Sequence, residues 1–306
     1  MAKPSRSTIH DFDPAVLRLF DQYVHGLIDR RGFLRGATRF AVGAGGAAGL
    51  LAALSPQFAA AQQVSPDDAR LSAGYREFDS PQGYGKGRGY LVKPAQSKGP
   101  LPVVLVVHEN RGLNPHIEDI ARRLALEGFI AFAPDALFPL GGYPGDEDAA
   151  RALFAKLEQE KSRADFLAAA GMLAALEGGN GRLGVVGFCY GGAIANFLAT
   201  RLPYLAAAAP FYGGAPRSEE VAAIKAELLV VLAAEDERVN AAWPEYERAL
   251  KAAGVRYRLL QPPGTQHGFN NDTTPRYDRA AAAEAWGQTV ALFKRTLGEA
   301  SKDRKV

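Results

Sequence analysis

Cysteine is nearly absent from this chain: Cys189 is the only one among 306 residues. A sole thiol cannot close an internal disulfide or build a cysteine cluster for zinc, so packing, intermolecular pairing and reactivity are its remaining roles. Histidine is also scarce, and beyond residue 61 only His108, His116 and His267 occur, without ligand spacing. His108 and Glu109 are neighbours whose side chains would point apart on a strand. The expectation is therefore no metal and no cofactor. Long apolar runs are missing too. The longest weakly apolar stretch, Phe40 to Leu54, is about fifteen residues and contains several glycines, short of the roughly 20 needed to span a bilayer.

That stretch belongs to a segment with its own logic. Asp29-Arg30-Arg31-Gly32-Phe33-Leu34-Arg35 precedes it and Ser55-Pro56-Gln57-Phe58-Ala59-Ala60-Ala61 follows. A charged region, a short apolar region and a small-residue end make an export signal, and the arginine pair before Phe-Leu is its twin-arginine form. Residues 1–61 are expected to be cleaved after Ala61, with residues 30–35 engaging the twin-arginine export machinery and a periplasmic or otherwise extracytoplasmic location. Apolar residues at helical spacing from Phe12 to Ile28 leave open a membrane-surface or partner-binding role before cleavage. Without residues 1–61, lysine plus arginine and aspartate plus glutamate number 29 each. The basic pI thus comes from the signal, and nothing supports nucleic-acid binding, which calls for a basic face.

What is present in abundance is punctuation around apolar runs. Leu183-Gly184-Val185-Val186 leads into Gly187-Phe188-Cys189-Tyr190-Gly191-Gly192 and then a small-residue helix pattern from Ala193. Strand, glycine-flanked turn and helix, with a nucleophile at the apex, form the elbow usually written G-x-S-x-G in α/β-hydrolases. Cysteine stands where serine is usual. A thiol of ordinary pKa is only a few per cent thiolate at neutral pH, so it needs an imidazole and a carboxylate that orients it. In this fold the chain order is nucleophile, acid, histidine, which selects His267, on the loop Gln261 to Phe269. The acid belongs at the end of the buried run Leu228 to Ala234, and Asp236 is chosen over its neighbours Glu235 and Glu237.

A second strand end matters. Val103 to Val107 reads as a central parallel strand buried on both faces, followed by His108-Glu109-Asn110-Arg111-Gly112. The oxyanion hole of this fold uses the backbone N–H after the nucleophile, here Tyr190, and one from the loop after the third strand, here Asn110. Glu109 has no packing reason to follow such a strand and is a candidate for a polar role in the pocket.

At these residues the chain resembles the dienelactone hydrolase family, the carboxymethylenebutenolidases. The resemblance rests on the G-x-C-x-G-G elbow at 187–192, the Glu109 loop, the Asp236 turn with Val239, and His267-Gly268-Phe269, supported by Gly128 to Asp135, and it spans roughly residues 75–298. It implies a Cys189-His267-Asp236 triad that opens an enol lactone through a thioester acyl-enzyme, with Glu109 meeting the resting thiol and helping to form the thiolate, and with Arg111 and Phe269 in the pocket. Family members acting on dienelactone hold the substrate carboxylate with arginines, one shortly after the catalytic histidine. Here Phe269-Asn270-Asn271-Asp272 follows, and Arg276 is the nearest basic residue; Arg111 and Arg276 are the candidate replacements.

The expected architecture is an α/β-hydrolase fold, a mostly parallel sheet with helices on both faces, over residues 75–298, between a short lead at 62–74 and a polar tail at 299–306. Strands are expected near 75–79, 87–93, 103–107, 129–133, 183–188, 206–211, 227–233 and 255–260. Helices are expected at 116–127, within 146–177, and at 190–201, 242–253 and 276–297. The turn-rich stretch Phe138 to Asp146 is either a substrate-gating loop or an ordinary connection. The expected protein is a monomeric hydrolase of a small lactone or ester. Alternatives are a carboxylesterase or thioesterase with the same triad, or a non-hydrolytic redox or binding protein using the thiol.

Overall fold

The computed structural model describes residues 7–41 and 45–298. Eight strands, β1 (Leu71–Ser80), β2 (Gly85–Pro94), β3 (Leu101–Val107), β4 (Ile130–Pro134), β5 (Gly179–Phe188), β6 (Leu205–Phe211), β7 (Glu227–Val231) and β8 (Tyr257–Leu260), form one sheet in the order β1-β2-β4-β3-β5-β6-β7-β8. The β1–β2 and β2–β4 pairs are antiparallel, and every pair from β4 to β8 is parallel. The chain runs from β3 outward to β4 and then returns past β3 to β5. Between β3 and β5 the winding reverses, and in open α/β sheets the crevice for ligands opens at the carboxyl ends of such strands.

The helices at the N-terminus are α1 (Pro14–Val24), α2 (Arg30–Ala37), α3 (Gly46–Leu54) and α4 (Phe58–Ala61); those of the sheet domain are α5 (Pro115–Leu126), α6 (Glu147–Phe154), α7 (Gln159–Ala174), α8 (Tyr190–Arg201), α9 (Glu237–Asn240), α10 (Trp243–Ala252) and α11 (Arg279–Leu297). Alternation along β3 divides the core. Val103, Leu105 and Val107 pack with Phe166 and Leu173 of α7, Leu198 of α8 and Leu250 of α10, whereas Val104 and Val106 pack with Ile117 and Leu124 of α5 and Phe293 of α11. Burial on both faces explains the unbroken apolar run, and each such side chain contributes about 2 kcal/mol relative to exposure. Several boundaries move inward, two of them for a visible reason. The last helix starts at Arg279 rather than 276, because Asp278 caps it by accepting from the Ala281 N–H at 2.9 Å. The last strand starts at Tyr257 rather than 255, because the Val255 N–H turns back to the Leu250 carbonyl at 3.0 Å.

The N-terminal segment folds as well. Val16, Leu17, Phe20, Tyr23, Phe33, Ala37, Leu51 and Leu54 make a small core of their own. Asp29 caps α2 by accepting from the Gly32 N–H at 2.7 Å, so the arginine pair occupies a helix's first turn. This unit sits on the sheet domain: Tyr23 bonds Asp148, Arg151 Nη1 donates to the Tyr23 carbonyl at 2.6 Å, and the Gln57 N–H donates to the Thr273 carbonyl at 2.8 Å. Among the described residues no helix is long and apolar enough to cross a membrane. The expected polar tail, 299–306, lies outside the described residues.

Candidate active site

The elbow joins β5 to α8. Cys189 has φ +55° and ψ −112°, and its N–H donates to the Phe211 carbonyl at 3.0 Å. A non-glycine residue held at positive φ costs of order 1–3 kcal/mol and persists only when its surroundings fix it. Here they do, because the glycines around it admit no side chain. A Cβ on Gly187 would lie 1.9 Å from the Gly191 carbonyl oxygen, and one on Gly191 would lie 2.2 Å from the Val107 carbonyl oxygen. This close approach locks α8 against β5 and β3 and lifts the thiol to the crevice where the sheet's winding reverses.

His267 and Asp236 reach the same crevice from loops beyond β8 and β7. The two loops are tied by the Glu235 N–H donating to the Thr265 carbonyl at 2.9 Å. Asp236 caps α9, accepting from the Val239 N–H at 3.4 Å, and its Oδ2 lies 2.5 Å from His267 Nδ1. That contact places the ring proton on Nδ1 and turns Nε2 toward the thiol. Glu235 and Glu237 are exposed, which separates them from Asp236. Burial opposes charge on all three groups, but their mutual attraction prevails. Burial alone would raise the Cys189 thiol, yet the charge of His267 and a hydrogen bond from His25 bring it down to about 6. Burial alone would lower His267, yet the Cys189 charge and the Asp236 hydrogen bond raise it to about 9. Cys189 and His267 therefore share a thiolate–imidazolium pair near neutral pH.

The loop after β3 lies opposite. His108 is fully buried, and burial lowers its pKa to about 4. Its Nδ1 donates to the Glu109 carbonyl at 2.5 Å and its Nε2 accepts from the Ala136 N–H at 3.1 Å, so it shapes the loop rather than titrating in the site. Glu109 lines the cavity and its Oε2 accepts from Asn271 Nδ2 at 2.9 Å. Among the described residues no hydrogen bond joins Glu109 to the thiol, whose place beside Sγ is taken by His25. Tyr190 stands at the first turn of α8, where N–H groups have no intrahelical acceptor, and its hydroxyl meets Ser162 Oγ at 3.0 Å. Asn110 and Arg111 line the cavity. Phe269 does not; it is fully buried behind His267 and packs edge-on against Tyr212, with ring centres 5.8 Å apart. The turn at 138–146 packs under Arg88 and Phe58 and is absent from the cavity wall.

The N-terminal segment contributes what the sequence did not disclose. Six of the fifteen residues lining the cavity at Cys189 are Phe20, Tyr23, Val24, His25, Ser55 and Pro56. His25 Nε2 is 3.8 Å from Cys189 Sγ and 3.3 Å from His267 Nε2. The groups expected to hold substrate hold this segment instead. Asn110 Nδ2 and Arg111 Nη2 donate to the Val24 carbonyl at 3.0 and 3.1 Å, and Arg276 lies 3.6 Å from the Asp21 carboxylate with its guanidinium over the Phe20 ring. The space left against the thiol is about 60 Å³, far below the roughly 300–1,000 Å³ of small-molecule sites. A larger cleft of about 590 Å³ between α1 and the Asp236 and His267 loops borders Arg276 but not Cys189. His25, Cys189 and His267 also bring one donor atom each to within 4.8 Å of one another, the described group suited to a metal ion.

The chain is similar to known proteins over most of its length. The family model described as the dienelactone hydrolase family matches residues 88–297, and one described as YqhI-like matches residues 3–43. An Escherichia coli protein named "Putative carboxymethylenebutenolidase" is 35% identical over 252 residues, covering 78% of this chain and 92% of that protein. Another from Escherichia coli, named "Putative hydrolase fragment YghX", is 56% identical over 100 residues, covering 33% of this chain and 86% of that one. The crystal structure of a dienelactone hydrolase homologue from Klebsiella pneumoniae superposes with a TM-score of 0.65 at 29% identity, covering 73% of this chain and 99% of that one.

Proposed function

This chain belongs to the dienelactone hydrolase family of ester-hydrolysing enzymes, and from that premise we propose that it opens a small lactone or ester through a thioester on Cys189. The observation that carries the reading is the alignment of a strained, glycine-locked thiol with an imidazole whose other nitrogen is fixed 2.5 Å from a buried carboxylate.

In the proposed cycle the Cys189 thiolate attacks the substrate carbonyl, forming an S–C bond and an oxyanion held by the N–H groups of Tyr190 and Asn110. Collapse breaks the C–O bond, and the His267 imidazolium gives its proton to the departing oxygen. The now neutral His267 takes a proton from water, whose oxygen attacks the thioester. The second collapse releases the acid and the thiolate, and His267 is again protonated. Asp236 holds the ring's tautomer throughout. Arg111 and Arg276, both beside the cavity, favour a substrate with a carboxylate. Turnover of a panel of lactones, aryl esters and acyl thioesters by protein lacking residues 1–61 tests this: Cys189→Ala is expected to lose several orders of magnitude while keeping its fold. Rates near those of the parent would remove the mechanism.

Export is part of the same proposal. The paired arginines, the short apolar stretch and the small-residue end of residues 29–61 support the twin-arginine route with cleavage after Ala61. Removing residues 1–61 would take away six residues of the cavity wall and open the site to substrate. Arg30→Lys combined with Arg31→Lys is expected to stop extracytoplasmic accumulation, and continued accumulation would contradict the route.

A further inference from the structure

We propose that the full-length chain binds one zinc-class divalent ion between Cys189 Sγ, His267 Nε2 and His25 Nε2, an ion that fastens the N-terminal segment over the nucleophile and keeps the enzyme closed. Binding of the ion is independent of the hydrolytic cycle, whereas its closing of the enzyme rests on that reading.

Both imidazoles are prepared as ligands in the same way. A metal-binding histidine ordinarily donates its other N–H to a carboxylate or carbonyl, which fixes the tautomer and raises ligand basicity. His267 Nδ1 meets Asp236 Oδ2 at 2.5 Å. His25 Nδ1 meets the Asp21 carbonyl at 2.8 Å and the Asp21 carboxylate at 3.2 Å. Each ring is therefore held through Nδ1 with Nε2 turned inward, where an ion would displace the proton that His267 Nε2 carries in the thiolate–imidazolium pair. The two Nε2 atoms face each other at 3.3 Å, within hydrogen-bond distance, and a bound ion would replace the proton shared there.

Two of the three donor spacings suit zinc, and all three donors lie within 4.8 Å of one another. With Zn–N bonds of about 2.0–2.1 Å and a Zn–S bond of about 2.3 Å, the edges of a tetrahedron are roughly 3.3 Å between nitrogens and roughly 3.6 Å between sulfur and nitrogen. The observed separations are 3.3 Å for nitrogen to nitrogen and 3.8 Å for His25 to sulfur. The remaining cavity of about 60 Å³ accommodates a water as fourth ligand. At present Arg238 Nη2 points at His25 Nε2, 2.9 Å away. Arg238 is exposed, and its long side chain withdraws into solvent when the ion takes its place. The charges around the site are Arg111, Arg276 and Arg238 on one side and Asp21, Asp236, Glu109 and the thiolate on the other.

Function follows from which lone pairs are used. The ion occupies the nucleophile's sulfur and the base's Nε2, so acylation stops while it is bound. His25 comes from the segment read as removable, and losing it leaves two protein ligands. Removal of the segment thus unlocks the ion as well as the cavity.

Cobalt(II) titrated into the intact full-length chain reads this without any turnover. One equivalent is expected to give thiolate-to-cobalt charge-transfer absorption that zinc abolishes and that Cys189→Ser lacks. His25→Ala and His25→Asn are each expected to weaken binding at least about 100-fold, and Asp21→Asn about 10–100-fold. Arg238→Gln is expected to tighten it. Zinc should shield Cys189 from iodoacetamide in the parent protein but not in His25→Asn, with circular dichroism verifying that the variants are folded. Absence of the charge-transfer band, or a band of unchanged affinity in both folded His25 variants, would overturn the proposal.

Discussion

Replacing His267 by glutamine should free Cys189 from the charge that keeps it ionised. An ordinary thiol titrates near 8.5, and here the His267 charge and the His25 hydrogen bond hold Cys189 at about 6 against the opposing effect of burial. The difference of roughly 2.5 pH units corresponds to about 3 kcal/mol of preference for the thiolate. At pH 7 the thiol is then about 90% ionised, against about 3% for an ordinary thiol. The assay is the ultraviolet absorbance of the thiolate, or the alkylation rate, followed across pH. In the parent protein the midpoint is expected near 6. In His267→Gln burial acts without its main counterweight, so the midpoint should rise to 8.5 or beyond. The same pair predicts a bell for acylation in which the rate rises through about 6, as the thiolate forms, and falls through about 9, as the imidazolium that protonates the leaving group is lost. The two limbs belong to the coupled pair rather than to either residue alone. A midpoint that stays near 6 in His267→Gln would refute the reasoning.

Asp236→Asn keeps the shape of the acid but cannot hold the His267 tautomer, and kcat for ester hydrolysis should fall about 10³–10⁴-fold with little change in thermal unfolding. Gly191→Ala drives a methyl to 2.2 Å from the Val107 carbonyl oxygen; the backbone must part at the centre of the sheet, and the expected result is loss of several kcal/mol in a denaturant titration. Phe33→Ala empties the middle of the N-terminal unit, a change that costs about 3–5 kcal/mol in a packed core. It should make residues 7–61 sensitive to protease while the sheet domain resists, and simultaneous digestion of both would contradict their separate cores.

The sequence disclosed most where punctuation meets an apolar run. Gly187 and Gly191 announced the elbow because no other residue fits their close approaches, and His267 and Asp236 followed from chain order and strand ends. Phe269 shares a tripeptide with His267, but neighbours in sequence need not face the same way, and it turned into the core. Glu109 stood at the expected strand end, while its partner Asn271 lay in a loop whose path no periodicity encodes. His25 was hidden for a different reason. Residues 12–28 carry a helical apolar pattern that fits a signal, a membrane surface or a docking helix equally, and it does not encode the placement of Val24 against Asn110 and Arg111. Composition reported the arginine pair but not that Arg30 meets Asp148 at 3.1 Å.

The thioester is tested most directly by quenching protein that lacks residues 1–61 during turnover of an aryl ester and locating the acyl group by peptide mass spectrometry. The account predicts an acyl adduct on Cys189 that forms at the rate of the first product's release and vanishes in Cys189→Ala. Steady hydrolysis with an unmodified thiol, or an acyl group on any other residue, would contradict it.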